Sequence, residues 1–557
     1  MSDSISPFTD VVTIEERRRA YRAAGYWRPS TLSQCVAAKA ASDGDAFAVI
    51  DRNGGRARTY AELERDAVTL AHFLRENGVG PGRVVSIQLP NTYETVVATV
   101  AVQALGGVIN PLLPNYRAHE LTNVFSTVRP AAILTPGRYR EFYYPDMIDE
   151  VARATGVAPL HVVLDDVVEA GDASLLEVIA RGARTGEALT SLGAASDVSE
   201  VIFTSGTESR PKAVLHTEET SNFAGRIAFF DLAVAPDQRV WMPSPVGHST
   251  GLNYGTRASL VAGRTLILQD RWDPSDAIEM IRRHRGSFTL AATTFLQGVV
   301  EECERTGTRL TEMSHFGCGG APVPEDLVRR AEEVGVRVLR LYGSTEALCG
   351  TWNRPESPFD KRSTTDGPAL SHTDLSIRDD EGEPVAPGEE GELHLRGPNT
   401  SVGYYDDPER TAATYLEGGW VRSGDLATVD AEGYLTVVGR KKEIIIRGGL
   451  NIAPREIEDM LATFPEVERA AVVGVPSERL GEQSCACVVL RPGASLTLGA
   501  LTDRLRAMGL AIYKLPELLR VMDALPMTAS GKVQKHVIQR ALLDEEEHAR
   551  VTGGTPS

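Results

Sequence analysis

The sequence predicts an α/β protein of helix-covered, mostly parallel sheets, with a small β-barrel-like subdomain and a smaller α+β unit at its C-terminal end. Three observations predict it. Apolar runs of strand length alternate with helical segments over about the first 350 residues, which implies parallel strands joined by crossover helices. After about Thr365 the texture turns to short alternating runs joined by Asp-Glu-Gly and Pro-Gly turns, as in "DLSIRDDEGEPVAPGEEGELHLRGP"; antiparallel hairpins or a small barrel suit it. From about Lys442 a new series begins, with helices at "APREIEDMLATFP" and "LTLGALTDRLRAMG" around strands at "ERAAVVGVP" and "CACVVLRP".

Each element has its own signal. In "TYAELERDAVTLAHFLRENGV", Thr59 and Glu62 form a capping box, and Leu63, Val68, Leu70, Phe73 and Leu74 roughly follow one helical face. "GRVVSIQLP" reads as a buried strand ending at Pro90. The apolar run Val96 to Ile109 is broken by Thr99, Gln103 and Gly106-Gly107. It falls short of the about 20 residues of a membrane span, so a buried helix running into a turn is expected. "GGVINPLLP" supplies the next strand, and "GYLTVVGRKKEIIIRGG" continues the later hairpins.

Composition narrows the function. At 557 residues the chain exceeds one ordinary core. A net charge of −18 argues against a nucleic-acid surface, which needs clustered Lys and Arg. "MSDSISPFTDVV" lacks a basic and an apolar signal region, and Ser2 and "TPS" match no lipidation or peroxisomal signal; a cytoplasmic protein is expected. The six cysteines show no CxxC or zinc spacing and read as reduced core residues, with Cys485 and Cys487 on one side of a strand. Of eight lysines, Lys212, Lys441, Lys442, Lys514, Lys532 and Lys535 lie in or beside motif-like segments.

Two segments invite a chemical reading. Gly247-His248-Ser249-Thr250-Gly251 fits G-x-S-x-G, yet a nucleophile elbow needs a strand entering the turn, which Pro243 and Pro245 would break. In "VIFTSGTESRPKAVLHT" a strand runs into a Ser/Thr/Gly loop followed by Lys212. Hydroxyls, backbone N–H groups and a lysine suit phosphate oxygens; alone, the loop is as well read as a surface turn, and it is not a Walker A loop.

That loop resembles the TSGTTGxPKG signature of the adenylate-forming superfamily, which includes acyl-CoA synthetases. "TYAEL", "FGCGGAPVP", "LYGSTEA", "GYYDDPERTAATY", "GGWVRSGDLA", "GRKKEIIIRGGLNIAPREIE" and "LPMTASGKVQK" resemble further motifs in family order over nearly the whole chain. The resemblance implies an adenylation domain at 1–440 and a mobile domain at 441–557. It implies an AMP-forming acid–thiol ligase using ATP, Mg²⁺ and CoA, which converts a carboxylic acid to acyl-AMP and then to a thioester.

By matched position, Thr204, Ser205, Gly206, Thr207 and Lys212 handle the β- and γ-phosphates. Glu346 with Thr207 holds Mg²⁺, and Thr345 contacts the α-phosphate. Gly319, Gly320 and Ala321 lie against the adenine, Tyr342 stacks on it, Asp425 takes the ribose hydroxyls, and Arg440 adds a ribose or phosphate contact. Lys532 bridges carboxylate and α-phosphate during adenylation. Lys442 is the hinge, and Gly448 and Gly449 let a pantetheine arm approach. His248, Tyr254, Phe295, Gly317, Gly343 and Cys349 form the acyl site, whose glycines suggest room for a ring or a medium chain. Departures fall at Glu208, Ser209, Ala213 and Glu443. "GHSTGLNYG" replaces the F-D-x-S of amino-acid adenylation domains, which favours an acyl- or aryl-CoA synthetase, and with the glycine-rich walls a medium-chain, cyclic or aryl acid. Loading of a carrier protein, adenylation of nitrite and a non-catalytic nucleotide-binding module stay open as alternatives, and a homodimer is allowed.

Overall fold

The computed structural model describes residues 15–51, 57–165, 172–182, 191–204, 211–321, 323–447, 450–477, 480–528 and 532–552. Local signals set its framework. Thr59 caps the helix Tyr60–Glu76: its hydroxyl accepts the Glu62 N–H at 3.2 Å, and Glu62 Oε2 accepts the Thr59 N–H at 2.9 Å. Both are donors that a helix start otherwise leaves unpaired. Leu63, Leu70 and Leu74 are fully buried on that helix. The apolar run forms the helix Tyr93–Ala104, and Gly106, at φ +65°, turns the chain into the strand Val108–Pro111. A Cβ on Gly106 would also stand 2.9 Å from the Gly193 backbone, so the turn needs glycine twice over.

One eight-stranded sheet runs Gly403–Tyr404, Lys212–Thr217, Val198–Thr204, Val108–Pro111, Val84–Ile87, Ala132–Pro136, Leu160–Leu164 and Ala173–Ser174. Its first two pairings are antiparallel and the rest parallel. The second runs Leu348–Trp352, Val338–Ser344, His315–Cys318, Gly286–Ala291, Arg239–Met242, Leu266–Leu268, Phe47–Asp51 and Arg58–Thr59. Its inner strands are parallel and both edges antiparallel. The largest core joins Ile87, Ile109 and Leu134 of the first sheet to Met242, Leu268 and Leu341 of the second, with the helices between them. Separate clusters cover the other faces.

The expected barrel-like subdomain is an open four-stranded antiparallel sheet: Asp374–Arg378, Gly391–Arg396, Val421–Val429 and Leu435–Arg440. Its first and last strands do not pair, so no barrel closes. The α+β unit follows. Strands Ile445–Arg447, Leu450–Ile452, Val467–Ser477, Gly481–Leu490 and Leu518–Val521 pack with helices Pro454–Leu461, Leu498–Ala507 and Lys535–Thr552. Cys485 and Cys487 are buried side by side, Sγ to Sγ 3.8 Å. Among the described residues no helix is long and apolar enough to cross a membrane.

Candidate active site

The strands on either side of the phosphate-type loop, Val198–Thr204 and Lys212–Thr217, form an antiparallel pair, with Thr204 opposite Lys212. Ser205, Gly206, Thr207, Glu208 and Ser209 lie outside the described residues, as do Gly448 and Gly449. The far strand is anchored through His216, which is fully buried. Its Nε2 meets the Thr345 carbonyl at 2.8 Å and Nδ1 the Thr220 hydroxyl at 3.0 Å. A carbonyl can only accept, so Nε2 carries the proton. Burial pushes the His216 pKa down, which keeps the ring neutral.

His216 therefore fixes the turn that carries Glu346. Glu346 Oε1 accepts the Tyr404 hydroxyl at 2.9 Å and lies 3.9 Å from Lys212 Nζ. No described residue donates to Oε2. A single held carboxylate with a spare oxygen fits Mg²⁺, which takes few protein ligands and shares phosphate oxygens. No cluster of three His, Cys, Asp or Glu that could hold a metal occurs among the described residues. Tyr404 has no role in the sequence reading; its only signal was its place in "GYYDD".

Across the cleft, Asp425 and Arg440 are direct partners on neighbouring strands. Arg440 Nε lies 3.2 Å from Asp425 Oδ1, and the Tyr342 hydroxyl donates to Oδ2 at 2.6 Å. Burial raises the Asp425 pKa, with Arg440 pulling it back. Gly319 is wedged against the Leu341 carbonyl, 2.5 Å from where its Cβ would stand, while Gly320 turns at φ +77°; Ala321 follows, half-buried.

Lys532 arrives from the C-terminal unit. Thr528 and Lys532 close a small turn: Thr528 N–H donates to the Lys532 carbonyl at 2.6 Å, and Lys532 N–H to the Thr528 hydroxyl at 2.9 Å. The side chain reaches the cleft, Cε lying 4.0 Å from where a Gly320 Cβ would stand. It is open to solvent. Its protein surroundings and the Arg440 charge lower its pKa, against the pull of Asp425 and Glu346. One lysine thus lies beside Gly320 and within range of charges on Arg440, Asp425 and Glu346, residues of four separate motifs. Lys442 is exposed in the connecting turn Lys441–Glu443.

On the acyl side, Ser249 is not at an elbow. The strand Arg239–Met242 stops before Pro243, and a π-helix covers Thr250–Arg257; such helices concentrate at functional sites. The two motif glycines answer to packing: a Cβ on Gly247 would lie 2.2 Å from the Leu112 carbonyl, and one on Gly251 2.2 Å from that of Pro245. The Thr250 N–H donates to His248 Nδ1 at 3.2 Å, so the neutral ring carries its proton on Nε2. Burial, with the Lys532 charge adding, pushes the His248 pKa down to about 4.

Tyr254 is buried, and its hydroxyl accepts the Cys349 N–H at 2.7 Å. Trp352 meets Tyr254 edge-on, 5.9 Å between centroids. Its indole stands 2.2 Å from where a Gly317 Cβ would be, and the Leu348 carbonyl 2.4 Å from that of Gly343. These glycines answer to the protein's own packing. Phe295 is not brought to Tyr254: it packs edge-on against Trp272, centroids 4.7 Å apart, in the cluster on the sheet's other face.

Comparisons with known proteins agree with this fold. The AMP-binding enzyme family matches residues 36–405, and the AMP-binding enzyme C-terminal domain matches 456–532. The medium-chain fatty-acid–CoA ligase of Escherichia coli K12 is 34% identical over 531 residues, 95% of this chain and 93% of the relative. The 3-[(3aS,4S,7aS)-7a-methyl-1,5-dioxo-octahydro-1H-inden-4-yl]propanoyl:CoA ligase of Mycobacterium tuberculosis is 37% identical over 484 residues, 86% of this chain and 92% of the relative. ATP-bound MatB from Rhodopseudomonas palustris superposes with a TM-score of 0.82 at 28% identity, covering 92% of this chain and 99% of that one.

Proposed function

The chain belongs to the AMP-binding enzyme family, and from that premise we propose that it is an AMP-forming acid–CoA ligase. The acid's carboxylate attacks the α-phosphorus of ATP, the bond to pyrophosphate breaks, and acyl-AMP forms. The thiol of CoA then attacks the acyl carbon, and AMP leaves with the bonding electrons. The observation that carries this reading is Lys532, set in one cleft with Asp425, Arg440 and Glu346.

Each residue has a task that its surroundings suit. Lys532 neutralises the reacting carboxylate and α-phosphate; cations held in place cost no rearrangement in the transition state. Thr204 and Lys212, with Ser205, Gly206 and Thr207 between them, cradle the outer phosphates. Thr345 faces the α-phosphate. Asp425 and Arg440 hold the ribose, and Tyr342 with Gly319, Gly320 and Ala321 encloses the adenine. Glu346, with Thr207, would hold Mg²⁺, which supplies charge neutralisation on the polyphosphate. Neutral His248 offers Nε2–H to the acid without adding charge.

The boundary at 440 and 441, with Lys442 as hinge, is part of the proposal. Lys441 tethers the connection through Asp380 at 2.9 Å and Glu392 at 3.2 Å, and Lys442 is the exposed residue next to it. Rotation there would withdraw Lys532 and present Gly448 and Gly449 to the pantetheine arm. The acid is medium-chain, cyclic or aryl: the wall of Tyr254, Trp352 and Cys349 is buried and apolar, and the relatives named above act on a medium-chain and a bicyclic acid.

The test is product formation. Purified protein with ATP, Mg²⁺, CoA and a panel of such acids should release AMP and give an acyl-CoA of the expected mass. Pyrophosphate without thioester would point to a carrier-protein acceptor. Silence with every acid but turnover of nitrite would overturn the reading.

A further inference from the structure

Beneath the phosphate-type hairpin lies a charged cluster that the reaction above does not use. Arg257, the last residue of the π-helix, is fully buried, as is Glu200. Arg257 Nη2 lies 2.5 Å from Glu200 Oε1, and Nη1 lies 3.2 Å from Glu218 Oε2 and 2.9 Å from Asn222 Oδ1. Asn253, one turn earlier, donates to Glu200 Oε2 at 3.1 Å. Glu218 also accepts the Leu32 N–H at 2.5 Å, and burial holds its carboxyl above the usual range.

The sequence positions give the cluster its meaning. Glu200 is on the strand that enters the hairpin, four residues before Thr204. Glu218 opens the helix that follows the returning strand, directly after Thr217. Arg257 ends the helix that carries Tyr254 and starts two residues after His248. One guanidinium thus joins both flanks of the hairpin to the acyl-side helix. A buried ion pair adds little net stability over a well-packed apolar substitute, because desolvation offsets the attraction. What a planar, five-donor fork supplies is fixed relative geometry.

We propose that Arg257 is a positioning residue for adenylation, locking the phosphate-type hairpin to the helix that lines the acyl pocket. The locking concerns only the step in which polyphosphate and carboxylate must meet. Thioester formation from acyl-AMP, after pyrophosphate has left, does not depend on it. The inference rests on the adenylation reading.

The experiment separates the half-reactions in the full-length protein. Acid-dependent exchange of pyrophosphate into ATP is measured for wild type, Arg257→Lys and Glu200→Gln, beside thioester formation from supplied acyl-AMP and CoA. Thermal unfolding checks that each variant is folded. The expected result is exchange reduced at least tenfold, with a raised KM for ATP, and thioester formation within twofold of wild type. If Arg257→Lys does not fold, Asn253→Ser, which removes only the Glu200 contact, carries the same expectation at smaller size. Equal loss in both half-reactions, or exchange unchanged in folded variants, overturns the inference alone. A wild type that exchanges with no acid overturns the adenylation reading and this inference together.

Discussion

Two sets of charges lie close together and are built on opposite plans. In the cleft, Lys532 and Arg440 are open to solvent, and Glu346 keeps an oxygen to which no described residue donates. Below it, Arg257, Glu200 and Glu218 are buried and paired with one another. The first set is incomplete, so a charged ligand can complete it. The second is closed off from solvent. Perturbed groups gather at functional sites, but structural ion-pair networks perturb them as well. Exposure and spare valence distinguish the two here, and pKa alone does not.

Breaking the open set should cost activity; breaking packing should cost stability. Asp425→Ala should raise the KM for ATP roughly 100-fold, since a hydrogen bond to a charged group contributes about 1.5–3 kcal/mol and two ribose hydroxyls are at stake. Steady-state kinetics with varied ATP measures it. Gly317→Ala drives a methyl into the Trp352 indole and should destabilise by about 1–3 kcal/mol. A fall in Tm under thermal unfolding is the readout, and an unchanged Tm would show that the indole does not need this glycine. Tyr404→Phe removes the hydroxyl that orients Glu346. It should weaken Mg²⁺ activation about tenfold, as expected for a partner of a metal-binding carboxylate.

The smallest effect is in pH. The cation on Lys532 is present below its pKa and lost above it, and its surroundings lower that pKa from 10.5. The alkaline limb of kcat/KM, which reports the free enzyme, should therefore begin before the ordinary lysine range. His248, with a pKa of about 4, stays neutral from pH 5 upward and should contribute no limb between pH 5 and 8.

Much of this was legible in the sequence where the cause is local. The Thr59 cap depends on residues three apart, and the turn after the apolar helix on one glycine. The motifs that resemble the adenylate-forming family led to Asp425, Arg440, Glu346 and Lys532, which the fold sets around one cleft. Distant partners decide the rest. Arg257 in "NYGTRAS" looks like any helix-end arginine until Glu200 and Glu218 stand beside it. Gly317 reads as an opening because its filler, Trp352, arrives from another strand. The sequence reading places Phe295 in the acyl site; its partner, Trp272, draws it into the other cluster.

We propose that a lysine delivered by the C-terminal unit completes the adenylation site. The most direct test is acid-dependent pyrophosphate exchange by wild type and Lys532→Ala, with thioester formation from supplied acyl-AMP measured in parallel. The account predicts that the substitution lowers exchange by about 10²–10³-fold, the size of a lost preorganised donor, and leaves the thioester step nearly intact. Exchange at the wild-type rate in Lys532→Ala would contradict it.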